Sequence, residues 1–272
     1  MLLENASEPF IERIEEDEIF YFSDSEGFST KVKKFLLSQK KVKLFIFCGD
    51  ILSFLSVDND FFKVYKNYWG VFKTFYNYYK ISKRKNVPEI AKSSVGDKVS
   101  KIIEKENKDD LKNFFEFAKE CKKKKIKIIY FSGNHDSALS YDFLMPNYSY
   151  IPLLSKIYHL DSLYFPRDLE LIKINQELFM IGIHTKSDTS ECRNFPELNY
   201  YINTLESIEK PEQIIFISHI PGISKFSKLG SKDISNFKRK FKFKYHYHGH
   251  CKDYYGEYLE ENVKTKSVHY KD

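Results

Sequence analysis

Ile126-Lys127-Ile128-Ile129-Tyr130-Phe131-Ser132 runs directly into Gly133-Asn134-His135-Asp136. The first seven residues are short, apolar and β-branched and stop at a glycine, which predicts a buried strand. The next three side chains are an amide, an imidazole and a carboxylate, which suit metal binding and proton transfer. Open α/β sheets hold their ligands just beyond the carboxyl ends of the strands. The stretch therefore predicts both a strand and a site at its end.

The pattern recurs along the chain. Ile19-Phe20-Tyr21-Phe22-Ser23 leads into Asp24-Ser25-Glu26-Gly27, and Leu44-Phe45-Ile46-Phe47-Cys48 leads into Gly49-Asp50. Ile214-Ile215-Phe216-Ile217-Ser218 leads into His219, and the alternating His246-Tyr247-His248 meets Gly249-His250-Cys251-Lys252. Between the first two strands, Phe28, Val32, Phe35 and Leu36 recur at helical spacing. That makes a βαβ unit and a parallel strand pair.

The order D-x-E-G, GD, GNHD, SH, HGH, each after its own strand, resembles the calcineurin-like metallophosphoesterase superfamily from about Ile19 to Tyr258. The resemblance implies a four-layer α/β/β/α sandwich of two mixed sheets flanked by helices. It also implies a divalent metal, one ion or two, of the Mn, Fe, Zn, Ni or Mg kind. By the family pattern Asp50, Asn134, His219 and His250 hold one metal, with Asp50 bridging to the other. His135 then protonates the leaving oxygen and Asp136 orients its ring. The expected reaction is hydrolysis of a phosphate monoester, diester or pyrophosphate by a metal-activated water.

Two departures fall on the first metal site. The family usually carries histidine where Glu26 and Lys252 stand. In one arrangement Glu26 is an oxygen ligand beside Asp24 and Asp50, which favours a harder ion such as Mn or Mg. In the other, the Lys252 ammonium sits between Asp24 and Glu26 and replaces that ion. The same departures support an alternative function, a catalytically degenerate protein of this fold acting as a binding or scaffold module. Gly49-Asp50 continues with Ile51-Leu52-Ser53-Phe54 rather than Asp-Arg-Gly, which argues against the protein Ser/Thr phosphatases of the superfamily.

Composition sets the outer bounds. With 272 residues, 42% of them hydrophobic, the chain is long enough for one α/β domain with a substantial core. It is read as a single domain over 1–272 with a helical or loop insertion at about 51–121, either a cap over the site or filler around the core. The net charge of +6, from 44 basic and 38 acidic residues, suits an anionic partner. A phosphorylated small molecule or nucleotide is the expected substrate; a nucleic acid is the further possibility, through the basic segment Lys232–Lys244. Cys48, Cys121, Cys192 and Cys251 form no CxxC pair and suit a reducing compartment. The acidic N-terminus has the wrong sign for a signal or transit peptide, and no apolar run reaches membrane-spanning length. The expected location is cytoplasmic.

Remaining segments are read from spacing and turn chemistry. Residues 8–18 suggest a short acidic helix or cap, 83–109 a polar loop, and Asp110–Lys124 an amphipathic helix closed by lysines. Ser137–Leu144 suggests a short helix. Leu171–Asn175 and Glu177–His184 read as paired strands. Leu198–Glu209 reads as a helix and Lys232–Lys240 as a basic helix or loop. Tyr254–Leu259 and Lys264–Val268 form a hairpin turning near Glu261-Asn262. His184 and His246 read as structural, and His248 at most as a support to the site.

Overall fold

A computed structural model describes the chain apart from residues 1, 11–12, 26, 52–93, 134–135, 137–159, 186–192, 205–206, 229, 252–254 and 271–272, and describes backbone alone over most of 94–108. Two sheets form. The first is wholly parallel in its described strands, in the order β1 (Ile19–Phe22), β2 (Leu44–Cys48), β3 (Lys127–Phe131), β4 (Leu163–Tyr164). The second is mixed and contains β5 (Ile172–Lys173), β6 (Phe179–Ile183), β7 (Ile214–Ser218), β8 (Tyr245–His248), β9 (Gly256–Glu260) and β10 (Val263–Ser267). Its order is β5-β6-β7-β8-β10-β9, with β6, β7, β8 and β10 parallel and the outer pairs antiparallel.

Alternation along the strands divides the apolar side chains into three layers. In β2, Phe45 and Phe47 point to an outer layer shared with α1 (Thr30–Leu37) and α2 (Ser94–Lys123), through Val32, Leu36, Phe114 and Phe117. Leu44, Ile46 and Cys48 point the other way and meet Met180, Ile215 and Ile217 of the second sheet. Phe216 and Ile181 face α3 (Pro196–Thr204) and α4 (Lys232–Phe241) through Leu198, Ile234 and Phe237. The result is the expected α/β/β/α sandwich. Each fully buried Phe contributes roughly 1.5–3 kcal/mol, so the aromatic outer layer, with Phe28 and Phe114 edge-to-face at 5.2 Å, is a principal source of stability.

Local chemistry sets the element ends. The Ser29 side chain accepts from Val32 N–H and starts α1, and the Ser231 side chain does the same for Ile234 N–H at α4. Glu261 and Asn262, with φ of 52° and 63°, make the two-residue turn between β9 and β10. Backbone bonds also join the sheets at a seam beside β1: Ser23 N–H donates to Val268 O at 3.1 Å and Tyr270 N–H to Ser23 O at 2.7 Å.

Two expectations change. The polar stretch 94–109 is helical, because lysine, glutamate and isoleucine are adequate helix formers and α2 continues upstream from its buried half. Among its described residues, the acidic segment 8–18 forms one short 3-10 helix at Glu16–Glu18, where side chains compete with backbone for hydrogen bonds. The helix expected at Ser137–Leu144 and residues 52–93 of the expected insertion lie outside the described residues.

Beneath α4 lies a buried ion pair. Lys238 is fully buried, with Nζ 3.1 Å from Glu260 and donating to Thr265 Oγ1 at 2.7 Å. Burial pulls the lysine down to about 8 and raises the Glu260 carboxyl. Lys238→Met would leave that carboxylate uncompensated and should cost about 3–5 kcal/mol in urea denaturation, whereas Lys238→Met with Glu260→Leu should recover most of the loss.

Candidate metal centre

The motif residues stand just beyond the carboxyl ends of parallel strands, where the backbone must turn sharply. Asp24, Asp50 and His250 have φ of 56°, 52° and 63°, and Gly49 has 92°. A non-glycine residue held there costs on the order of 1–3 kcal/mol, a strain that clusters at functional sites. Three glycines allow the loops to close on one another. A Cβ on Gly133 would lie 2.2 Å from Asp50 Oδ1, and one on Gly49 2.5 Å from the Gly133 backbone. A Cβ on Gly249 would lie 2.1 Å from Asp24 Oδ2. Each glycine therefore makes room for a neighbouring motif.

Asp50, His219 and His250 converge, with one ligand atom from each lying within 4.8 Å of the others. Asp50 and His219 are almost wholly buried, and His219 Nε2 lies 2.9 Å from Asp50 Oδ2. The opposite ring nitrogen, Nδ1, lies 2.9 Å from the Cys48 carbonyl and donates to it. That bond fixes the tautomer and ring orientation, so Nε2 is the atom directed at the centre. Burial opposes charge on this imidazole, but the carboxylates of Asp50 and Asp24 outweigh it and raise its pKa to about 9. One carboxylate and two imidazoles with a pre-oriented ring suit a borderline divalent ion such as Zn, Fe, Mn or Ni, so this donor set fits a metal.

Asp24 is adjacent but differently engaged. Both its oxygens accept from His250 N–H at 3.0 Å, and Ser23 Oγ lies 2.6 Å from Oδ2. Burial, chiefly, raises its carboxyl pKa. Asp136, fully buried, accepts from Ile51 N–H and Gly133 N–H, each at 2.8 Å. It thus ties the loop after β3 to the loop after β2, a role the spacing alone does not reveal. Glu26, Asn134, His135 and Lys252 lie outside the described residues.

Among the described residues, three further histidines are occupied elsewhere. His248 reaches Gly249 O at 2.8 Å and Tyr258 Oη at 2.9 Å, and burial pushes it down to about 3. His246 stacks on Phe216 and meets Ser218 Oγ at 2.7 Å, with burial holding it well below the usual range. His184 Nδ1 accepts from Ser132 N–H at 3.0 Å and its Nε2 lies 2.8 Å from Pro166 O. Strand alternation stops at His248, so the turn at His250 sets where that ring points. The supports that motif reading overlooks are the Cys48 carbonyl and Ser23; the one available signal is the serine that precedes the motif at Ser23, Ser132 and Ser218.

No family model matches the chain, and no curated protein matches it. Among solved structures it is similar to TT1561 of Thermus thermophilus, with a TM-score of 0.48 and 10% identity over 92% of this chain and 87% of that one. It is also similar to the phosphopantetheinyl hydrolase PptH from Mycobacterium tuberculosis, with a TM-score of 0.45 and 10% identity over 93% of this chain and 89% of that one. Among the described residues, no helix is long and apolar enough to cross a membrane.

The raised His219 pKa has a definite sign. In chelator-treated protein the pairing of charged His219 with the carboxylates stabilises the fold fully below about pH 6.5 and is lost as pH rises through about 9. Added metal competes with the Nε2 proton, so its stabilising effect in thermal melts should grow over the same window. Gly133→Ala should displace Asp50 and lower metal affinity on the order of tenfold or more by titration, while Asp136→Ala should cost about 2–3 kcal/mol of stability.

Proposed function

We propose that this protein is a metal-dependent phosphoesterase that holds one divalent ion between Asp50, His219 and His250. The observation that carries the reading is the convergence of these three donors with His219 Nε2 pre-oriented by Cys48 O. Asn134 and His135 are the two residues between Gly133, which packs against Asp50, and Asp136, which clamps both loops. In this reading the Asn134 amide oxygen completes the ligand set. A bound ion supplies Lewis-acid activation of water and neutralises charge on the phosphoryl group. His135 donates a proton to the leaving oxygen as its bond to phosphorus breaks, and Asp136 holds the loop carrying it.

Asp24 supports a single ion. Its oxygens are engaged by Ser23 and His250 N–H, and it stands outside the donor cluster. In the arrangement we favour, Lys252 supplies the positive charge between Asp24 and Glu26 in place of a second ion. The substrate class is a phosphorylated small molecule or nucleotide. The basic segment gives little support to a nucleic acid, because Lys238 pairs with Glu260, Arg239 with Glu261 and Lys244 with Glu16, while Lys240 bonds Ile202 O.

Elemental analysis of purified protein and a panel of phosphomonoesters, diesters and pyrophosphates with Mn, Mg, Zn, Fe or Ni test this reading. One ion per chain is expected. Asp50→Ala and His219→Ala should lose it together with activity. His135→Ala should keep the ion and lose about 10²–10⁴-fold in kcat. Two ions per chain would overturn the single-ion arrangement. A folded protein inactive with every metal would point instead to a binding or scaffold module.

A further inference from the structure

Among the described strands, the two sheets are unequal in width. The first ends at β1, an edge strand, whereas the second continues past the seam through β10 and β9. The inner face of the wider sheet therefore overhangs, and a cavity of about 320 Å³ occupies the corner between this overhang and the open edge of β1. It lies along β1, upstream of Asp24, and shares no residue with the metal centre.

Three features of the corner point to one class of ligand. Its walls are aromatic: Phe20, Phe35 and Tyr270 form one side, and Tyr247 and Tyr255 belong to the other. Phe35 meets Phe20 at 6.2 Å and Tyr270 at 5.4 Å, edge-on, so the rings stand as a preformed wall. Its polar groups include a strand edge. Glu18 O accepts from Lys43 N–H on the β2 side, while Ser23 N–H and C=O bond outward to Val268 and Tyr270. By alternation the Tyr21 N–H and C=O also face outward, a donor and an acceptor along one edge. Among the described residues, its one ammonium is that of Lys266, which stands across the strand pair from Glu257, and no carboxylate lines the cavity.

We propose that this corner binds a nucleotide: a planar heteroaromatic ring stacked among the aromatic walls, its polar edge on the β1 backbone, and its phosphate on Lys266. Aromatic faces accept any base, a strand edge matches the donor–acceptor pattern of a base edge, and an exposed ammonium beside rings selects an anionic substituent. An amphipathic peptide would need no cation at this position. Because the seam at Ser23 lies between the corner and Asp24, an occupant here would abut the backbone that carries the metal-site loop.

Binding of AMP, GMP and UMP by calorimetry, with adenosine as the uncharged control, tests the assignment. The background is chelator-treated Asp50→Ala protein, which removes the metal centre from the measurement. Saturable binding of at least one nucleotide is expected. Tyr255 and Phe35 are 51% and 37% exposed, so Tyr255→Ala and Phe35→Ala should fold and should weaken binding on the order of tenfold. Lys266→Ala should weaken AMP and leave adenosine unchanged. No binding of any of the three at millimolar concentration overturns the proposal. So does binding to the otherwise unaltered protein that Asp50→Ala abolishes and Tyr255→Ala leaves intact, since the nucleotide would then occupy the metal centre.

Discussion

The carboxylate of Asp136 reaches two backbone amides that belong to different strand ends, Ile51 after β2 and Gly133 after β3. Everything at the centre depends on this bridge. A buried carboxylate is tolerable only where donors satisfy it, and backbone N–H groups do so without adding another charge. In return, the bridge draws two irregular loops to within van der Waals limits of each other. Gly133 then abuts Asp50 so closely that a single added carbon would strike its carboxylate. The same logic repeats at Gly249 and Asp24, where the absent side chain leaves room for an acid and His250 N–H satisfies it.

Strain and charge are balanced across the two sheets. Asp24, Asp50 and His250 adopt left-handed backbone conformations that cost on the order of 1–3 kcal/mol each. The parallel strands beneath them, buried on both faces, supply the stability that maintains those turns. The first sheet delivers carboxylates and the second delivers imidazoles. Their meeting raises the His219 pKa despite full burial, because nearby negative charge outweighs desolvation. In the proposed reading, a divalent ion would take the position that the His219 proton holds.

Much of the fold was legible in the chain. Runs such as Leu44–Cys48 and Ile214–Ser218 are too short for helices, too apolar for surface strands, and end in glycine or polar motifs; each forms a strand buried along its whole length. The turn at Glu261-Asn262 was legible from turn chemistry. The helical character of 94–109 was not, since its polar composition resembles a loop and helix extension is cooperative with the packed half downstream. At the centre, the motif order singled out Asp50, His219 and His250, which the structure brings together. It also set His246 and His248 apart from His250, and the structure supplies the reason in their partners, Ser218 and Tyr258.

The sequence by itself determined which residues form strands, which end in chemistry-bearing turns, and that the strands alternate with helices, because these depend on local periodicity and on glycine at strand ends. Tertiary structure alone decided that Asp136 spans two loops, that the Cys48 carbonyl orients His219, and that the wider sheet overhangs β1 to leave an aromatic corner. Each of these joins groups distant in the chain through backbone atoms or strand counts that side-chain identity does not encode. Backbone amides and carbonyls are the same at every position, so where they are directed follows only from how the sheets assemble.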